Sequence, residues 1–164
     1  MTCEQGRGIP FAFLPEGDTH GARADATIGA LHSLQTFSVV LADDQRAFRE
    51  GLARAIARHS RLELVAVAGR GDEAFDVIEA LQPDVALIDV RMAGLSGPAL
   101  CALLRERHPE IDTRLVLMSV DGSEFDEVRT MVDGFVGKDR SRREICDTLV
   151  QVAQRTHRRI HLLA

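Results

Sequence analysis

Asp43, Asp44, Asp89, Ser119 and Lys138 are the residues whose types and positions bear on chemistry: three carboxylates, a hydroxyl and the only lysine of the chain. They close apolar runs, in FSVVLADD, DVALID, TRLVLMS and GFVGK. Carboxylates gathered at one place repel one another and stay ionised more readily around a hard dication, and an all-oxygen set with room for water suits Mg²⁺. Nineteen of the twenty basic residues are arginine. Lys138 therefore marks a position that calls for a compact point charge on a flexible stem rather than a guanidinium fork. Singly, each residue also has an ordinary reading: aspartates make turns, serines cap helices, and lysines at strand ends are solvated. Their recurrence at successive strand ends favours a shared site.

A shared site requires elements that bring those ends together. FSVVLADD, LELVAVAG, DVALIDV, TRLVLMS and GFVGK read as five strands, the third apolar on both faces like a central strand of a covered parallel sheet. Helical spacing recurs between them: Phe48, Leu52 and Ile56; then Phe75, Ile78 and Leu81 before Pro83; then GPALCALLRERH, with Pro98 near its start. SEFDEVRTMV is a weak helix candidate, and SRREICDTLVQVAQRTHRR is a long amphipathic helix capped by Ser141. The alternation predicts an α/β, flavodoxin-like, doubly wound fold. Its five parallel strands are expected in the order 2-1-3-4-5, with helices on both faces. In that topology ligands bind outside the carboxyl ends of the strands, where the five residues converge.

Composition sets outer bounds. A chain of 164 residues, 45% hydrophobic and 27% charged, has room for one domain of ordinary size and something more. Residues 1–36 hold five of the thirteen glycines and two of the five prolines without a sustained period, apart from a possible short helix in IGALHSLQTF. They read as a flexible extension, residues 37–156 as the domain, and 157–164 as a tail. The net charge of −5 argues against a nucleic-acid surface, and no apolar run spans a bilayer. With Cys3, Cys101 and Cys146 in no metal or disulfide pattern, the expectation is a cytoplasmic chain with reduced thiols.

Residues 37 to about 156 resemble the receiver domain of two-component response regulators. The resemblance rests on Asp43-Asp44, Asp89 in LIDVRMAGLSG, Ser119, Phe135 and Lys138. It implies Mg²⁺ bound directly by Asp44 and Asp89, by Asp43 partly through water, and by the backbone carbonyl of Arg91. It further implies Asp89 as acceptor of a phosphoryl group from a sensor histidine kinase or phosphotransfer protein, with Lys138 as counter-charge. Ser119 and Phe135 would form the switch that alters the surface offered to a downstream protein, to an output domain outside this sequence, or to a second copy in a homodimer. HRRIHLLA alone is too short for a helix-turn-helix module, so a stand-alone receiver and the receiver part of a longer regulator both stay open. Two other classes compete: a receiver-shaped binding module that is never phosphorylated, and a haloacid-dehalogenase-type phosphohydrolase. The second expects an aspartate where this chain has Arg91.

Several positions depart from the family pattern. Ala93 replaces the usual proline in the loop after Asp89, implying a less rigid loop. Only eighteen residues separate Ser119 from Lys138, so the helix between the fourth and fifth strands is expected to be short or irregular. Val120 stands where a smaller residue is usual, and Arg91 and Asp121 flank the expected phosphoryl position. Phosphorylation by small donors and self-hydrolysis are therefore both expected to be slow. Label retention on the phosphorylated protein measures the second, and rapid loss contradicts it.

Overall fold

The computed structural model describes residues 35–121 and 129–160, with side chains through Arg155. Five strands and four helices follow one another along these residues: β1 (Phe37–Ala42), α1 (Arg46–Ala57), β2 (Leu62–Ala68), α2 (Gly71–Leu81), β3 (Val85–Asp89), α3 (Gly97–Arg107), β4 (Arg114–Ser119), β5 (Gly134–Gly137) and α4 (Arg142–Ile160). All neighbours pair in parallel, in the order β2-β1-β3-β4-β5. This is the expected flavodoxin-like sheet.

Period-two alternation divides the buried side chains between two faces. Val39, Leu41, Val85, Leu87, Val116 and Met118 pack with Leu52 and Ile56 of α1 and with Ile145 and Leu149 of α4. Val40, Ala42, Ala86, Ile88, Leu115 and Leu117 face the other way, against Phe75 and Ile78 of α2 and Leu100 and Leu104 of α3. The central strand β3 is buried along its whole length. At such positions a Leu→Ala change costs about 2–5 kcal/mol, which makes β3 a stiff support for the residue at its end. The edge strand β2 carries an irregularity: Val39 pairs with Leu64, whereas Val40 pairs with Ala66. The extra residue, Val65, switches β2 between faces, so Leu62 and Leu64 join one cluster and Ala66 and Ala68 the other.

Local chemistry sets the helix ends. Ser96 accepts from the Ala99 amide at 3.4 Å, and Pro98 sits in the first turn of α3. Ser141 and Glu144 form a reciprocal capping box at α4: the Glu144 amide donates to Ser141 Oγ (3.2 Å) and the Ser141 amide to Glu144 Oε2 (2.8 Å). Helix α2 stops at Gln82, whose φ of 43° is left-handed, just before Pro83. Leu81, grouped by spacing with Phe75 and Ile78, is instead 52% exposed. It is the last helical residue, where the chain turns away through Gln82.

The expected helix over SEFDEVRTMV lies largely outside the described residues, and residues 129–131 of it form a turn. Its exit is firmly held. Asp133 accepts from Arg105 and Arg114, each at 2.8 Å, and from the Leu115 amide at 2.9 Å, fastening the entry to β5 onto α3 and β4. Residues 1–34, including IGALHS, and 161–164 are likewise outside the described part.

Burial also governs the thiols. It pushes Cys101 up to about 12 and Cys146 up to about 11, so neither is an appreciable thiolate at neutral pH. In a Cys3→Ser chain, both are expected to react with a disulfide reagent only as fast as the domain opens, and faster in urea. Immediate reaction in native buffer contradicts this.

Candidate functional site

The same alternation that builds the two faces aims the polar residues. Val39 and Leu41 point toward α1 and α4, and one further step of two reaches Asp43. Val85 and Leu87 lead in the same way to Asp89, and Val136 to Lys138. Three strands ending at one sheet edge thus deliver three charged groups to one side. Asp43 and Asp89 are buried, at 0% and 3% exposure, and the Lys138 side chain is 5% exposed.

Lys138 Nζ donates to Asp89 Oδ2 at 2.6 Å and lies 2.8 Å from Asp43 Oδ2. The ammonium is thus shared between Asp43 and Asp89, and among the described residues is the one group found against Asp43 Oδ2. The other oxygens are held by the main chain: Asp43 Oδ1 accepts from the Gln45 amide at 2.8 Å and Asp89 Oδ1 from the Arg91 amide at 3.3 Å. The ring of Phe48, from the first turn of α1, lies 5.1 Å from Lys138 Nζ, within the range of a cation–π contact. Lys138 is fixed in turn by its own amide, which donates to the Ser119 carbonyl at 2.8 Å.

Charges this close in a dry site shift one another. Burial raises the Asp89 carboxyl above the usual aspartate value, the Asp43 charge adds to this, and Lys138 and the Arg91 amide oppose it. Burial opposes the Lys138 charge, but the adjoining Asp43 and Asp89 carboxylates outweigh it and hold the ammonium above the usual lysine value. Asp44, exposed, completes the group. Carboxylate oxygens of Asp43, Asp44 and Asp89 all lie within 4.8 Å of one another. Three carboxylates against one ammonium leave an excess of negative charge. That excess and the all-oxygen donor set fit a hard dication such as Mg²⁺.

The loop after Asp89 is tied down at several points. The Gly71 amide donates to the Ala93 carbonyl at 2.9 Å, and the Gly97 amide to Val90 at 3.0 Å. Gly94 turns with φ +82°, and the α-carbon of Gly71 packs so closely on the Leu95 carbonyl that a side chain there would overlap it. These contacts restrain the loop that carries Ala93. Arg91 and Val120 face solvent, Val120 at 73% exposure.

Ser119 and Phe135 come from the last two strands of the sheet, β4 and β5. Ser119 is buried at the end of β4, one residue beyond Met118, the register partner of Asp89, and its Oγ accepts from the Asp121 amide at 3.1 Å. Phe135 pairs with Leu117 and packs, half-buried, on the opposite face from Lys138. It also lines an open groove of about 440 Å³ between β5 and α4, with Arg140, Asp147 and Thr148. Spacing marked Phe48 only as a helix-face residue and gave Arg49 no role. Both border the cluster because α1 begins two residues after Asp44, and that short interval was the available signal.

The ionic cluster makes a thermodynamic prediction. Lys138→Met leaves buried carboxylates without their cation and is expected to cost about 3–5 kcal/mol. Asp89→Asn relieves a carboxylate whose charge the fold disfavours, and is expected to cost far less or to stabilise. Mg²⁺ should restore part of the Lys138→Met loss through binding to the native state. Urea unfolding followed by circular dichroism, with and without Mg²⁺, checks the ranking; equal losses contradict it.

Comparison with known proteins agrees with this fold. Residues 39–150 match the family model described as the response regulator receiver domain. The chain is 34% identical over 119 residues to the "probable transcriptional regulatory protein NarL" of Mycobacterium tuberculosis, covering 71% of this chain and 54% of that protein. The nitrate/nitrite response regulator protein NarL of Escherichia coli is 29% identical over 119 residues, with the same coverage of 71% and 54%. The chain thus spans about half the length of these relatives. Among solved structures, the signal receiver domain of the response regulator NarL from Mycobacterium tuberculosis superposes with a TM-score of 0.68 at 33% identity, over 73% of this chain and 98% of that one. A DNA-binding response regulator of the LuxR family from Staphylococcus aureus gives 0.66 at 27% identity, over 71% and 98%. The matched residues 39–150 take in Asp43, Asp44, Asp89, Ser119 and Lys138 and make up more than half of the sequence: the chain belongs to the response regulator receiver domain family.

Proposed function

We propose that this domain is a phosphorylatable switch in which Asp89 accepts a phosphoryl group from a sensor histidine kinase or phosphotransfer protein. The observation that carries the reading is the buried Lys138 ammonium held between Asp43 and Asp89, with the Asp44 carboxylate within 4.8 Å of both. An Asp89 carboxylate oxygen attacks phosphorus, a new P–O bond forms, and the P–N bond of the donor phosphohistidine breaks. Its electron pair returns to the imidazole, and Asp89 becomes an aspartyl phosphate. Asp43, Asp44, Asp89 and the Arg91 carbonyl would hold Mg²⁺, which supplies charge neutralisation for the phosphoryl oxygens when bound.

The other residues have distinct tasks. Lys138, freed from its contact with Asp89 as that oxygen becomes esterified, follows the charge onto the phosphoryl group. The Ser119 hydroxyl exchanges its bond from the Asp121 amide for one to a phosphoryl oxygen, drawing the β4 loop inward. Phe135, at the foot of that movement, changes the surface along β5 and α4. A downstream protein or an output domain reads that surface; relatives named as transcriptional regulators favour an output domain. The domain acts as a phosphoacceptor with at most weak self-dephosphorylation rather than as an enzyme. Among the described residues no helix is long and apolar enough to cross a membrane, and the expected setting is the cytoplasm.

Incubation with Mg²⁺ and acetyl phosphate, or with a histidine kinase, followed by intact mass, tests the assignment. Wild type is expected to gain the mass of one phosphoryl group and Asp89→Asn none. Label that persists in Asp89→Asn removes Asp89 as acceptor, and no label with any donor favours the binding module.

A further inference from the structure

The main chain of Asp43 is gripped from two sides. Its amide donates to the Ala68 carbonyl, the last residue of β2, at 3.1 Å. Its carbonyl accepts from a guanidinium nitrogen of Arg49, half-buried in the first turn of α1. The same guanidinium lies flat against the next residue of the neighbouring strand, with Nη1 3.4 Å from where a β-carbon on Gly69 would stand. Arg46, one turn position earlier, pairs with Glu50 in solvent at 2.7 Å. Arg49 instead aims its donor at the peptide that joins Asp43 to Asp44. A rotation of that peptide moves both carboxylates relative to Asp89.

We propose that Arg49 is a positioning residue for the cation site: by fixing the Asp43 carbonyl against the end of β2, it sets the orientation in which Asp43 and Asp44 share a dication with Asp89. This rests on reading the three carboxylates as a Mg²⁺ site. The sign of the effect separates it from two simpler roles. As a mere positive charge near the site, Arg49 repels a dication, and its removal tightens binding. As mere packing, its removal lowers stability and leaves the affinity of the folded protein unchanged. As a brace, its removal weakens binding, because partners that orient metal ligands are commonly worth about 10- to 100-fold in affinity.

The test is calorimetric titration of MgCl₂ into the unphosphorylated full chain, for wild type, Arg49→Met and Gly69→Val, each checked for folding by urea unfolding. Arg49→Met keeps the long stem and removes every donor. Gly69→Val crowds the guanidinium from the neighbouring strand while leaving Arg49 and all three carboxylates in place. Arg49→Met is expected to bind Mg²⁺ about tenfold more weakly, and Gly69→Val to weaken in the same direction. Unchanged or tighter binding by folded Arg49→Met overturns the proposal. If Arg49→Met does not fold, Gly69→Val decides between the same two outcomes. Absence of Mg²⁺ binding by wild type overturns the cation-site reading and the proposal with it, and is recognised from wild type alone.

Discussion

The Lys138 ammonium, held 2.6 Å from Asp89 and 2.8 Å from Asp43, is the contact on which the rest of the site depends. Two buried carboxylates with no cation between them would be costly to bring together, since a charge removed from water needs a close partner. Lys138 meets that need without neutralising the site, because its single charge faces three carboxylates. Its position follows from backbone geometry. β5 must run parallel beside β4, with Ser119 opposite Gly137, for the next residue to carry an ammonium across to β3 and β1. The Asp133 bridges to Arg105 and Arg114 secure that alignment from the opposite end of the strand.

Rigidity around the acceptor and tension within it serve the same end. Asp89 ends a wholly buried strand, and the loop beyond is tied to α2 through Ala93 and Gly71. Yet its carboxyl is raised by burial and by the Asp43 charge, so its ionised form is only partly compensated. A dication would relieve that imbalance by its positive charge, so on the proposed reading the resting arrangement responds to one local change in charge.

Much of this was legible in the chain itself. Apolar runs closing on Asp43, Asp89, Ser119 and Lys138 specify parallel strands and place their ends together, because alternation and crossover handedness leave few other arrangements. The lone lysine among arginines pointed to the residue that bridges the carboxylates. What escaped was set by tertiary contact. Arg49 touches a main-chain carbonyl, which leaves no pattern in residue types. The β2 irregularity at Val65 is a matter of pairing, and Leu81 fits a helical period yet falls at a helix end. Asp133 falls between the segments read as helix and strand and was given no role, because its two arginine partners lie 28 and 19 residues away.

The central claim is that this cluster exists to make one carboxylate, Asp89, the phosphoryl acceptor. Borohydride reduces an acyl phosphate to the corresponding alcohol, so an aspartyl phosphate becomes homoserine at its own position. After phosphorylation in the presence of Mg²⁺ and borohydride treatment, peptide mass spectrometry is predicted to find homoserine at position 89 and nowhere else. Homoserine at position 43 or 44, or phosphate recovered on Ser119, would contradict the account.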